Sequence, residues 1–255
     1  MNVSPSAQRC EAGHNYHASR LVEISLGGQP AVPDFPPIPH EYACRWPMHV
    51  WDTDRYMGQT GIYCTGQDET SLSIASQGIW EGYETLTALE ILQTPGLVVD
   101  IGAQVGWYTM LAAYNGCPVV AVEADPENVR LLQANSAGLD VSVVHGWVGE
   151  QTAPWVDGPR IRLLKADIEG LEREAVRVIR PLLETQRVDW LLLELTPSFP
   201  GSNIPWIIET LNGYGYQTWL VPEKGTDVGD SAIGAAIPVG PDDALTGQRT
   251  LLAGR

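Results

Sequence analysis

The sequence predicts an α/β fold: a mainly parallel, seven-stranded sheet with helices on both faces, preceded by an extended arm and a small β-rich extension. Three observations carry this. From residue 97 onward, short apolar segments rich in Val, Ile and Leu alternate with stretches whose apolar residues recur at helical spacing. The first apolar segment runs straight into a glycine-containing loop, Asp100-Ile101-Gly102-Ala103-Gln104-Val105-Gly106. The chain before residue 42 shows no apolar periodicity and carries five prolines over residues 30–39.

Strands are expected at Leu97 to Ile101, Val119 to Val122, Val141 to Val144, Ile161 to Ala166, Trp190 to Leu195, Tyr216 to Val221 and Arg249 to Ala253. Between them, helices are expected from Trp107 to Tyr114, from Pro126 onward with Asp125 as N-cap, along Leu171, Ala175, Val178, Ile179 and Leu182, and along Ile204, Ile207, Ile208 and Leu211. A further helix over 81–93, with Leu86, Leu89 and Leu92 or Ile91 inward, ends at Pro95-Gly96. Alternating β and α with short links gives a parallel sheet covered on both faces. Residues 1–41 read as an extended, proline-rich arm and 42–80 as a β-rich extension, in which Ser71 to Ser76 alternates with period two. Residues 81–255 read as the main domain.

Composition narrows the function. Fifteen Lys and Arg against 31 Asp and Glu give a formal charge of −16, a surface that repels phosphate backbones, so no nucleic-acid partner is expected. Arg160, Arg162, Lys165, Arg173, Arg177 and Arg180 lie close in sequence, but acids such as Glu172 and Glu174 are interleaved, which predicts a solvated mixed face. No run approaches the ~18 apolar residues of a membrane span. No apolar stretch follows a basic start, so a soluble, cytoplasmic protein is expected. Four cysteines without a C-x-x-C pair suit a reducing compartment. Cys10, His14, His17, His40 and Cys44 offer zinc-ligand chemistry, but at spacings that match no common zinc module.

The glycine loop predicts a ligand at the carboxyl ends of the strands. It lacks the third glycine of G-x-G-x-x-G and the lysine of a phosphate-binding loop. Asp100 beside it would repel a pyrophosphate, yet suits a ligand with an ammonium and a sulfonium but no phosphate, as in S-adenosylmethionine. Gly102 and Gly106 let the backbone approach that ligand. Glu123, at the end of the next strand and 23 residues on, is placed to accept from ribose hydroxyls.

The segments DIGAQVGWYT at 100–109, AVEADPENVRLLQAN at 121–135, LLKADIEGLEREAV at 163–176 and LLLEL at 191–195, with GIWEGYET at 78–85 upstream, resemble the FkbM-type methyltransferases over roughly residues 75 to 221. The resemblance implies a class I methyltransferase fold, S-adenosylmethionine as cofactor, and methyl transfer to a hydroxyl of a sugar, glycan or small natural product. It carries over Asp100, Gly102 and Gly106 to the methionine part, Glu123 to the ribose, and Lys165, Asp167, Glu169 and Gly170 to the fourth-strand element. The chain departs from the family at Gln104, where Asn is usual, and at Ala124, where Pro or Asn is common.

An alcohol acceptor needs alignment and loss of its proton. Asp167, at the end of the fourth strand, is a candidate base or orienting group, with Glu169 and Lys165 beside it. Alternatively, Asp167, Glu169 and Glu194 hold a divalent metal. A third reading has Glu194 paired with Lys165. Trp147, after the third strand and next to His145, is a candidate wall for the adenine, and Trp80, Glu81 and Tyr83 are candidates for the acceptor mouth. Two other functions stay open: a non-catalytic cofactor-binding scaffold that docks a partner through the proline-rich arm, and, with less support from the glycine pattern, an NAD-dependent oxidoreductase.

Overall fold

The computed structural model describes residues 44–48, 60–64, 69–70, 73, 80–149, 158–199, 203–222 and 231–255. The proline-rich arm lies outside the described residues, as do Cys10, His14, His17 and His40. Two strands, β1 (Cys44–Met48) and β2 (Thr60–Cys64), pair antiparallel with Cys44 opposite Cys64. The strand expected over 71–76 is not formed at Ser73, which is helical, as are Glu69 and Thr70. That expectation rested on two apolar residues, too few to set a period.

The main sheet has eight strands in the order β5-β4-β3-β6-β7-β10-β8-β9. They are β3 (Leu97–Ile101), β4 (Val119–Glu123), β5 (Val141–His145), β6 (Ile161–Ala166), β7 (Val188–Leu195), β8 (Gln217–Leu220), β9 (Ile237–Pro238) and β10 (Arg249–Gly254). Pairings from β5 through β7 are parallel. The last strand, β10, enters antiparallel between β7 and β8, and the short β9 adds an eighth strand at the edge. The chain order runs outward in both directions from β3 and β6, so the carboxyl ends of those two strands form the switch point where such sheets bind ligands.

Strand periodicity sorts the core into two layers. Val98, Leu163, Leu192 and Leu252 face one side, packing with α1 (Gly82–Leu92), α2 (Trp107–Tyr114) and α3 (Pro126–Asn135). Val99, Leu164, Leu191, Leu193 and Leu251 face the other, packing with α4 (Glu172–Val178), α5 (Arg180–Glu184) and α6 (Ile204–Gly213). The single helical stripe expected from Leu171 to Leu182 is thus two short helices, with Pro181 in the first turn of the second. Asp125 caps α3, accepting from Glu127 N and Asn128 N, with Pro126 behind it.

By the same alternation, Asp100 on β3, Lys165 on β6, Glu194 on β7 and Thr250 on β10 fall on the α1/α2 side; Asp100 registers with Lys165 and Glu194 with Thr250. A polar band therefore crosses the carboxyl end of an otherwise apolar face.

The basic residues do not gather into a patch. Arg160 and Arg162 pair with Asp189, Arg177 with Glu174 and Arg180 with Glu184. Glu172, expected on the solvated face, is fully buried. Among the described residues, no helix is long and apolar enough to cross a membrane.

Candidate active site

A cavity of about 800 Å³ opens at the carboxyl ends of β3, β4, β6 and β7. Its lining includes Gly102, Gln104, Glu123, Ala124, Trp147, Lys165, Asp167, Glu169 and Glu194, with Trp80 and Glu81 from the start of α1. The structure thus brings most of the sequence-selected residues to one place. It sets Asp100, Gly106 and Tyr83 outside the lining.

Asp100 is only 1% exposed and lies beneath the loop. One carboxylate oxygen accepts from the Thr109 hydroxyl at 2.6 Å; the other is buried without a hydrogen-bond partner. Asp100, expected to face a ligand, lies beneath the cavity lining. Burial raises its pKa, while the ammonium of Lys165 and the Thr109 hydroxyl pull the other way. Tyr83, in the first turn of α1, packs against the core.

The two glycines of the loop have a reason other than ligand approach. Gly102 has φ +76, and a Cβ there would stand 1.9 Å from the carbonyl oxygen of Asp167. Asp167 N–H in turn donates to Ile101 O at 3.0 Å, so the β3 loop and the β6 end are locked face to face. Gly106, φ +98, opens α2 against the Leu132 side chain, 2.6 Å from where its Cβ would be.

Glu123 organises the second side of the cavity. Its carboxylate accepts from Gln104 N at 2.7 Å, Ala124 N at 2.9 Å and Asp125 N at 2.7 Å. It ties the glycine loop to the loop after β4. An ionised carboxylate offers about four acceptor positions, so three are taken by backbone and one is left for a ligand hydroxyl. Beyond it, toward β5, Gly146, Trp147 and Val148 line the cavity, and Trp147 is 70% exposed. His145 is turned to Ala124 O at 3.1 Å and is absent from the lining.

The opposite wall is acidic. Lys165, 6% exposed, sits 3.3 Å from Asp167 and 4.5 Å from the centroid of the Tyr108 ring. Carboxylate oxygens of Glu81, Asp167 and Glu194 lie within 4.8 Å of one another. Burial alone would raise the Asp167 pKa; the Lys165 ammonium and hydrogen bonds with Glu194 and Lys165 outweigh it and hold Asp167 below the usual carboxylate range. Burial, the Asp167 hydrogen bond and the charges of Asp167 and Glu81 push Glu194 up to about 10, so it keeps its proton at neutral pH and donates to Asp167. Gln248 donates to the other side of Glu194. Lys165 is held above its ordinary value: burial would lower it, but the carboxyl groups of Asp167, Glu81, Asp100 and Glu194 raise it.

This arrangement corrects two expectations. Glu194 pairs with Asp167 and Gln248, and Lys165 pairs with Asp167. The metal set of Asp167, Glu169 and Glu194 is not assembled, because Glu169 is exposed and Glu81 takes its place in the cluster. The carboxylates that do come together are Glu81, Asp167 and Glu194, with the Lys165 ammonium 3.3 Å from Asp167.

Glu172 is a structural residue that sequence reasoning missed. Its carboxylate accepts from Gly170 N at 2.9 Å and holds the loop after β6, while a Cβ at Gly170 would meet Phe199 at 2.6 Å. Tyr108 and Trp107 were also missed. Tyr108 donates to Glu81 at 2.7 Å, and the Trp107 indole donates to Thr85, whose hydroxyl donates to Trp80 O. They fasten α1 to α2, and Glu84 accepts from Thr250 at 3.2 Å, which fastens α1 to β10. Three of the five described non-glycine residues with positive φ, Glu81 (44°), Gln104 (50°) and Glu169 (47°), line the cavity.

The raised carboxyl of Glu194 has a consequence for stability. Between its ordinary value of 4.5 and about 10, the folded state binds more protons than the unfolded chain, so stability falls as pH rises through that window. Asp167, shifted down, acts only below its ordinary 3.8. The melting temperature is expected to be higher at pH 6 than at pH 9 in thermal scans, and Glu194→Gln should flatten the decline above pH 7.

No protein-family model matches the chain, and no curated protein does. Solved structures similar to it include a human methyltransferase 10 domain-containing protein, 18% identical, with a TM-score of 0.47 over 74% of this chain and 90% of that one. Another is precorrin-6y C5,15-methyltransferase from Geobacter metallireducens, 14% identical, TM-score 0.44, covering 67% and 86%. A third is a protein from Klebsiella pneumoniae described as an O-methyltransferase, 14% identical, TM-score 0.43, covering 69% and 80%.

Proposed function

We propose that this protein is an S-adenosylmethionine-dependent methyltransferase acting on a hydroxyl of a sugar, glycan or small natural product. The observation that carries the reading is the charge of the cavity. Among the described residues, Glu69, Glu81, Glu123, Asp125, Asp167, Glu169 and Glu194 line it, against Lys165 alone, and Lys165 is already paired with Asp167. Such a lining repels the pyrophosphate of a nicotinamide dinucleotide and favours a cation.

The residues fit the cofactor. Glu123 would take a ribose hydroxyl at its remaining acceptor position. Gly146, Trp147 and Val148 would flank the adenine, and the Gly102–Gln104 loop would face the methionine part. When bound, S-adenosylmethionine supplies a methyl group activated on a sulfonium. Trp80 offers an aromatic face to a sugar ring. Asp167, kept ionised by Lys165, and Glu194, kept protonated, together offer one acceptor and one donor to neighbouring hydroxyls. That makes the pair an orienting device for a polyol. Asp167 is a weak base, because its proton affinity is spent on Lys165 and Glu194. The FkbM-type resemblance supports the same acceptor class.

Calorimetry with S-adenosylhomocysteine tests the reading. The expected result is saturable binding with a thermal shift; no heat and no shift at millimolar ligand would overturn it. Enhanced NADH fluorescence on mixing would revive the oxidoreductase instead. Cofactor binding with no methylation across panels of sugars and glycosides would favour the scaffold.

A further inference from the structure

We infer that Glu81 is the catalytic base that takes the proton from the acceptor hydroxyl; this rests on the methyltransferase reading above. The ribose end of the site is fixed by Glu123 on β4, and the adenine side lies beyond it toward β5. The remaining end of the cavity, where the transferred group and acceptor must meet, is bounded by β6, β7 and the start of α1. Three carboxyl groups cluster there with oxygens within 4.8 Å of one another, while Glu169 is turned to solvent; two of the three are committed. Asp167 carries the Lys165 ion pair, and Glu194 shares its proton with Asp167 and accepts from Gln248. Glu81 is the third.

Its position is built. Glu81 stands before the first turn of α1 with φ 44, a conformation that a non-glycine residue keeps only when its surroundings hold it. Tyr108 donates to Oε2 at 2.7 Å, which fixes the carboxylate and leaves Oε1 for a substrate proton. The groups facing it are Tyr108 from α2, Lys165 from β6, Asp167 just after β6, Glu84 from α1 and Glu194 from β7. Burial is the largest influence and raises the Glu81 pKa to about 7; Lys165 and Tyr108 lower it, and Asp167 and Glu84 raise it. A base so tuned is half ionised at neutral pH and strong enough to accept a proton as an alcohol reacts.

The step balances. Glu81 accepts the hydroxyl proton as the acceptor oxygen bonds to the methyl carbon, and the carbon–sulfur bond breaks with its electron pair left on sulfur. Glu81 returns the proton to solvent through the open cavity.

Two measurements test this without turnover. The first compares S-adenosylhomocysteine with sinefungin, an analogue whose amine-bearing carbon replaces the methylsulfonium. A carboxylate facing that point should favour sinefungin, increasingly so as pH rises through 7. Glu81→Gln should cut the sinefungin-to-S-adenosylhomocysteine affinity ratio roughly tenfold or more, while S-adenosylhomocysteine binding persists. An unchanged ratio would overturn the inference. The second is a carboxyl-carbon NMR titration of wild-type protein with labelled glutamate. One carboxyl titrating near pH 7, lost in Glu81→Gln, is expected. The absence of any such carboxyl would overturn the proposal whatever the variant's fold. If wild type binds neither ligand, the methyltransferase reading falls and this inference with it. If it binds both with no ratio change, only Glu81's role falls.

Discussion

Replacing Glu123 with alanine is expected to weaken S-adenosylhomocysteine binding more than a hundredfold by calorimetry. Three backbone N–H groups, of Gln104, Ala124 and Asp125, converge on this one carboxylate. Without it they lose their acceptor, and a buried donor left unmet costs about 1–3 kcal/mol. Water can replace part of that loss, because the site is open to the cavity. The rest appears as disorder in the two loops that would flank the ribose. Binding then loses the direct contact and also has to order those loops. Glu123→Gln separates the two effects. Its amide keeps one acceptor oxygen but turns a second donor toward the converging N–H groups, so an intermediate loss of roughly tenfold is expected. Equal affinity in wild type and alanine variant would remove Glu123 from the cofactor site.

Lys165→Met is expected to be the most damaging single change to stability. Among the described residues the ammonium is the one positive charge lining the cavity, and it faces Asp167 while lying within the electrostatic reach of Asp100, Glu81 and Glu194. Asp100 is buried with one oxygen already lacking a partner. Removing one member of a buried ion pair leaves the other uncompensated, which costs about 3–5 kcal/mol. For a chain of this size that lowers the melting temperature by about 10 °C. The loss should shrink at low pH, where the carboxyls protonate. Adding Asp100→Asn to Lys165→Met should recover part of it, since the two residues register directly across β3 and β6. A strictly additive double variant would show that Asp100 does not depend on this lysine.

Much of the fold was legible because strands and caps announce themselves locally. The Val- and Leu-rich runs at 97–101 and 161–166 have few other ways to be buried, and Asp125-Pro126 marks a helix start within three residues. The cavity was legible to the same degree. Strand ends can be read from the sequence, and in a doubly wound sheet the ends of β3, β4 and β6 converge. What escaped were roles set by partners far along the chain. Gly102 is required by the Asp167 carbonyl, and nothing near residue 102 says so. Glu172 reads as a surface acid within its helix, yet its target is Gly170 behind it. The depth of Asp100 was not legible either: it lies under the loop, on the side where Thr109 and Lys165 meet it. Gln248, on the approach to the final strand, bears on Glu194 only because β10 lies beside β7.

The antiparallel insertion of β10 makes it the clasp of the sheet. It bridges β8 to β7, its approach carries Gln248 to Glu194, and Thr250 anchors the first turn of α1 beside the cavity. A break in the pairing of residues 249–254 would therefore loosen three things together: the outer strands, the Glu194 side of the cavity and the seat of Glu81.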